Sequence, residues 1–277
     1  MNDSNEIVIV SAVRTPFSPF GGMLREMHST DLGALVIREV LQRVNLSGDK
    51  VDELYYGMCI QSEAALESNV NGRQALLKAG MPAELVSLTI DRACCSSLTA
   101  IQLGMRTILA GDGKIIMAVG AENMSNTPLV MNGHRWGTRL QLPVFKDHLN
   151  PIYYTGYNAL AKAPGYAINK ALQKVDMSMS EIHLIEINEA FAAMPLVFTQ
   201  VLANGDHKKC EELREITNIN GGAIAIGHPV GASGARILMT LMYELRRRGG
   251  GFGAAGICGG LAQADAAIIK VEQTGVG

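Results

Sequence analysis

The chain has 277 residues, enough for one large domain or two of ordinary size. Hydrophobic residues make up 48% and charged ones 18%, which excludes a disordered chain too poor in apolar surface to offset its ordering entropy. Lys and Arg number 24 against 26 Asp and Glu, a formal net charge of −2, which excludes nucleic-acid binding driven by bulk positive charge.

The longest apolar runs, near residues 114–120 and 221–226, fall far short of a membrane span. Residues 1–6 are polar and do not read as a basic-then-apolar leader. The expectation is a soluble, cytoplasmic protein that engages neither membrane nor nucleic acid. The five cysteines, Cys59, Cys94, Cys95, Cys210 and Cys258, are odd in number and form no CxxC pair. They fit neither a disulfide scaffold nor a zinc site, so no metal is expected and the reactive-thiol reading is left.

In chain order, residues 7–12 (IVIVSA) predict a buried strand and residues 32–44 an amphipathic helix. Residues 54–57 and 86–90 predict strands, 98–109 a helix and 114–120 a second buried strand. Strands alternating with helices imply an α/β fold with a largely parallel, covered sheet.

The chain also resembles itself. Leu41-Gln42-Arg43-Val44 recurs as Leu172-Gln173-Lys174-Val175, and the same offset carries Val51 to Ile182 and Leu54 to Ile185. The helix before Ala110-Gly111-Asp112-Gly113 and strand 115–120 find counterparts in residues 237–248 and 252–258. Four elements matched in order imply two similar halves packed about a pseudo-twofold axis. The repeat exposes two absences. Residues 141–162 hold Pro143 and Pro151 but no β-run to match residues 7–12, and no closing strand follows Gly120.

Three segments look chemical. Cys94 stands in Asp91-Arg92-Ala93-Cys94-Cys95-Ser96-Ser97-Leu98, between a strand and a helix start whose N–H groups and dipole would lower a thiol pKa. His228 stands in a run of small residues over 218–234, held on a turn by Pro229, and imidazole is the usual base for a thiol. Cys258 ends an apolar strand before Gly259 and Gly260, whose N–H groups could face a cleft. Singly, each has a plain structural alternative, such as a buried cysteine or a histidine in a tight loop.

Together with Ser11-Ala12-Val13-Arg14-Thr15-Pro16-Phe17, Ala121-Glu122-Asn123-Met124-Ser125-Asn126 and Asn188-Glu189-Ala190-Phe191-Ala192, these segments fall in one order along nearly the whole chain. In that order the sequence resembles the thiolase family of acyl-CoA acyltransferases. The resemblance implies duplicated βαβαβ halves layered α/β/α/β/α, over residues 1–125 and 164–277. Residues 126–163 would be a remnant of the lid region, with the lid and its neighbouring strands missing and a splice at Ala161-Lys162-Ala163-Pro164.

The resemblance further implies Claisen condensation, or thiolytic cleavage of a 3-oxoacyl-CoA, through an acyl-cysteine intermediate. Fatty acid metabolism and β-oxidation are the implied setting. CoA and acyl-CoA would be the substrates, with no further cofactor, and the protein a homodimer or tetramer. Cys94 would be the nucleophile, His228 its base and Cys258 the acid/base for the α-proton or leaving thiolate. Asn188 would hold a water that forms one oxyanion hole with His228, and the backbone N–H groups of Cys94 and Gly260 the other. Such chemistry needs an acyl carrier, a base and two donor sets, because charge develops on two thioester oxygens in turn.

Glu189 and Arg14 are expected to be structural, as buried ion-pairing residues. Cys95 and Ser97 replace glycines usual in the family, predicting a bulkier nucleophile loop and a reshaped acyl pocket; the terminal glycine run is also shorter. Two alternatives compete: another condensing enzyme of this fold, and a non-catalytic or partner-dependent subunit.

Overall fold

The computed structural model describes residues 6–63, 70–131, 133–137, 140, 142–149 and 157–272. The first half runs α1 (Ser29–Arg43), β1 (Glu53–Gly57), α2 (Asn71–Lys78), β2 (Val86–Ile90), α3 (Ser96–Ala110) and β3 (Ile116–Gly120). A short hairpin follows, β4 (Leu129–Met131) with β5 (Phe145–Asp147). The second half runs α4 (Tyr157–Lys174), β6 (Leu184–Ile187), α5 (Met194–Leu202), α6 (His207–Glu215), α7 (Ala223–Ile226), α8 (Ser233–Arg247), β7 (Gly251–Gly259) and β8 (Gln263–Val271).

The duplication read in the sequence is present in the topology. β1 pairs in parallel with β2 on one side and β3 on the other, Leu54 lying opposite Ser87 and Met117. β6 pairs in parallel with β7, and an isolated parallel bridge from Ile185 to Thr217 stands where β2 stands in the first half. α1 therefore answers to α4, β1 to β6, α3 to α8 and β3 to β7. Only the second half continues, with β8 antiparallel to β7.

Each sheet is covered on both faces. α1 and α2 pack on one face of the first sheet, α4 on one face of the second, and α3 and α8 lie between the sheets against each other. This is the expected α/β/α/β/α layering. In α8 the buried Ile237, Leu238, Leu241 and Leu245 recur at the three-and-four spacing of one helix face and join Leu98, Leu184 and Ile257 in the central core. The start of α3 sits directly on bare backbone. A Cβ at Gly57 would lie 2.4 Å from Ser97 N, and one at Gly120 would lie 2.5 Å from Ser97 Cβ. Gly111, with φ 83°, ends the helix in the left-handed region.

Two expectations are corrected. Residues 7–12 form no strand, and Val8, Ile9 and Val10 are exposed. The physical reason is a missing neighbour: the edge of β3 away from β1 is free, so no ladder extends toward this segment. Arg14 is exposed; it donates to the Thr15 carbonyl at 2.9 Å and lies over the Phe17 ring, with no buried ion pair. The junction at residues 161–164 lies within helix α4, where Pro164 removes one main-chain hydrogen bond. Among the described residues, no helix is long and apolar enough to cross a membrane.

Candidate active site

Cys94 follows Ala93, a non-glycine residue held at φ 50°, in the tight turn between β2 and α3. The turn is fastened locally. Arg92 N–H donates to Ser96 Oγ at 2.8 Å, and Ala93 N–H donates to Asp91 Oδ1 at 2.9 Å. It is also fastened to the other half, because Arg92 and Thr99 both donate to the buried carboxylate of Asp265 on β8, at 2.5 and 2.6 Å.

His228 lies in the loop before α8, with Nε2 3.1 Å from Cys94 Sγ and Nδ1 2.6 Å from Ser233 Oγ. Ser233 donates its only hydroxyl hydrogen to the Pro229 carbonyl at 3.0 Å. Ser233 Oγ must therefore accept from His228 Nδ1–H, which leaves the Nε2 lone pair facing the thiol. That is the tautomer a general base requires.

Cys258, near the end of β7, is buried and its thiol hydrogen-bonds that of Cys94. The bond to Cys258 is the main influence pushing the Cys94 thiol above its ordinary range. Burial adds to it, and His228 opposes both. These influences outweigh the lowering expected from the helix start, and Cys94 rests as a thiol with His228 Nε2 in reach.

Asn188 directly follows β6 and is fully buried. Its Nδ2 lies 3.3 Å from His228 Nε2, and its Oδ1 accepts from Arg236 Nη2 at 3.4 Å. Arg236, itself buried, also reaches Glu186 at 3.3 Å. Burial pushes the Glu186 carboxyl up, to about 8, against the attraction of Arg236. Gly260 adjoins the nucleophile turn, since a Cβ there would lie 3.3 Å from Ala93 Cβ.

The fold therefore brings Cys94, His228, Asn188, Cys258 and Gly260 together at the ends of β2, β6 and β7 and in the loop before α8. The bulk of Cys95 and Ser97 goes elsewhere than expected. Both are fully buried; Cys95 Sγ points to the Ile257 carbonyl at 3.6 Å, and Ser97 Oγ accepts from Ala235 N–H at 2.9 Å. They fill the contact between the halves instead of reshaping a pocket. Glu189, expected in a buried ion pair, is half-buried and instead ties the turn at Asn218 to α7, accepting from Asn218 Nδ2 at 2.8 Å and from Ile224 N–H at 3.0 Å.

Sequence reading missed Ser233, Arg236 and Asp265, and it quoted Glu122 without a role. Glu122 is buried and accepts N–H donors from Cys59, Ile60 and Gly231, at 3.1, 3.0 and 2.7 Å. Burial pushes its carboxyl up, to about 7, while the three donors oppose the shift. Ser233 carried one signal, its place five residues after His228 in the same run. Arg236 and Asp265 carried none, because their partners come from the opposite end of a repeat or from the other half.

Comparison with known proteins identifies the family and the fold. The family model described as "Thiolase, N-terminal domain" matches residues 7–187, and "Thiolase, C-terminal domain" matches residues 153–271. An acetyl-CoA acetyltransferase of Syntrophomonas wolfei is 29% identical over 402 aligned positions, covering 96% of this chain and 99% of that protein. One from Pseudomonas aeruginosa is 28% identical over 388 positions, covering 91% and 96%. Among solved structures, human mitochondrial 3-ketoacyl-CoA thiolase in complex with CoA aligns with TM-score 0.86 at 23% identity, over 94% of this chain and 96% of that one. The Bacillus anthracis acetyl-CoA acetyltransferase aligns with TM-score 0.82 at 24% identity, over 95% and 98%. With both family models matched across the two halves whose strand ends carry the paired cysteines, the histidine and the asparagine, the chain belongs to the thiolase family.

Proposed function

We propose that this protein is an acyl-CoA thiolase that works through an acylated Cys94. The carrying observation is the convergence of Cys94, His228, Asn188 and Cys258, with His228 Nε2 in reach of the nucleophile at 3.1 Å. The names of the relatives support the same class of reaction.

In the proposed sequence, His228 Nε2 takes the Cys94 proton as the sulfur attacks the thioester carbonyl. A C–S bond forms to Cys94, and the carbonyl electrons move to oxygen, where backbone donors of the nucleophile turn and Gly260 would receive the charge. Collapse breaks the bond to CoA sulfur, which leaves with the proton from His228. In the condensing direction, Cys258 gives its proton to His228 and the resulting thiolate removes an α-proton from a second acyl-CoA. The carbanion forms a C–C bond to the acyl carbon on Cys94 while charge on the second thioester oxygen falls to Asn188 and His228; collapse then breaks the C–S bond to Cys94, whose sulfur takes the proton back from His228. Thiolysis is the reverse.

CoA and acyl-CoA are the substrates in this reading, with no further cofactor, in a cytoplasmic homodimer or tetramer. A non-catalytic subunit would have no need for a base in the correct tautomer beside a buried thiol pair, which favours the catalytic reading. Incubation with acetyl-CoA followed by intact-mass measurement tests it. One acetyl group should add to Cys94, and thiolysis of acetoacetyl-CoA should proceed. A protein that takes no acetyl group and cleaves no 3-oxoacyl-CoA is not a thiolase.

A further inference from the structure

A groove of about 1810 Å³ opens in the described structure. At roughly 30 Å³ per water it would hold on the order of 60 molecules. A close-packed protein interior tolerates few voids larger than one. One end reaches the His228 loop; the rest lies away from Cys94, along β3, β8 and residues 7–12.

Its walls are unfinished sheet. β3 and β8 are the outer strands of their sheets, so among the described residues each has an edge paired by no further strand, although the Ala266 carbonyl of β8 accepts from Gln102 Nε2 at 3.2 Å. Residues 7–12, apolar and extended, cross the same space without pairing; Val8 is 66% and Val10 71% exposed. They touch the walls through isolated bonds, Ser11 Oγ to the Val40 carbonyl at 3.2 Å and Tyr243 Oη to the Ala12 carbonyl at 2.5 Å.

The internal repeat specifies what belongs there. β3 answers to β7, and β7 is paired on its far side by antiparallel β8, so the repeat calls for a strand antiparallel to β3. Residues 7–12 have no counterpart ahead of the second half, and the edge of β8 away from β7 carries no strand among the described residues. Among the described residues, no strand pairs with either edge. The alignment with the Syntrophomonas protein spans 402 positions, which leaves at least 125 of them without a residue in this chain.

We propose that the groove is a strand-acceptor site, filled by a separate polypeptide that lays one strand along β3 and a second along β8. Main-chain hydrogen bonds to the two edges would give affinity, and the exposed valines of residues 7–12 would give an apolar face to cover. The occupant has the size and character of the internal segment that the relatives carry and this chain lacks.

The test co-expresses the full 277-residue chain with that internal segment of the Syntrophomonas acetyl-CoA acetyltransferase as a separate chain. Amide hydrogen exchange is then read over residues 116–121 and 263–271, alone and in the mixture. The expected result is a one-to-one complex in which exchange over both strands slows by about 100-fold or more relative to the isolated chain. The readout does not depend on turnover, so an inactive complex would still support the site while counting against the proposed function. A segment that fails to associate, or that associates without slowing both strands, overturns the proposal. So does an isolated chain whose two edges are already protected. Protection of that kind that disappears on dilution would assign the groove to a second copy of this chain.

Discussion

Ser233 Oγ stands 2.6 Å from His228 Nδ1 while its own hydrogen goes to the Pro229 carbonyl. One hydroxyl at the start of α8 thereby decides which imidazole nitrogen faces Cys94. Partners of this kind, which orient a working group without touching the substrate, typically govern 10- to 100-fold in function.

Ser233→Ala is accordingly expected to lower kcat for thiolysis by roughly 10–100-fold with a smaller change in KM. The alkylation rate of Cys94 at neutral pH should fall with it, because the base is no longer held in one tautomer. Equal alkylation rates in parent and variant would show that the hydroxyl only fills space.

The two site cysteines should separate in a mass and exchange experiment. Iodoacetamide should modify Cys94 first, since Cys95, Cys210 and Cys258 are buried and, of the two half-buried thiols, both pushed up, only Cys94 has an imidazole base beside it at 3.1 Å. Cys94→Ser should form no acyl-thioester. Cys258→Ala should still take an acetyl group from acetyl-CoA but lose about 10²–10⁴-fold in α-proton exchange and condensation.

Removing Cys258 also removes the main influence that raises Cys94. The pH midpoint for Cys94 alkylation should therefore move down in Cys258→Ala, even as condensation is lost. A midpoint that stays put or rises would mean that the thiol–thiol bond does not control the nucleophile.

Arg236→Lys keeps a positive charge beside Glu186 but loses the planar fork that reaches both Glu186 and Asn188. Asn188 would lose the donor that fixes which end of its amide faces His228. A fall of about tenfold or more in kcat, with Cys94 alkylation near the parent rate, is expected. Loss of alkylation in parallel with kcat would point to general disorder of the site instead.

Glu122 gives the protein a pH-dependent term of definite sign. Its folded-state value of about 7 lies above the ordinary 4.5, so the folded state holds the proton more tightly than the unfolded chain. The stabilisation this provides is complete below pH 4.5 and is lost as pH rises through 7, an effect on the order of 3 kcal/mol. Glu122→Gln should flatten that part of the profile in chemical denaturation. It should also cost about 1–3 kcal/mol at low pH, because one of the three N–H donors would face an amide NH2. Superimposable profiles for parent and variant would exclude this role.

The duplication, the order of helices and strands within each half, and Cys94, His228 and Cys258 as candidate site residues were legible in the sequence, with Asn188 implied by the family resemblance. These are local properties: periodicity sets each element, and small residues around a histidine or cysteine mark a tight turn. Residues 7–12 carried the same apolar signal as a buried strand, yet only the tertiary structure decided their state, because a strand exists through its neighbour and none is paired here. The protonation of Cys94 was decided in the same way. Its position before α3 is a matter of sequence, but the thiol of Cys258 and the imidazole of His228 arrive from the other half, and at 3.1 Å the imidazole acts on the thiol as directly as the turn that carries it. Ser233, Arg236 and Asp265 stayed invisible until folding because hydrogen bonds across 48, 173 or even five residues leave no periodic trace in a chain.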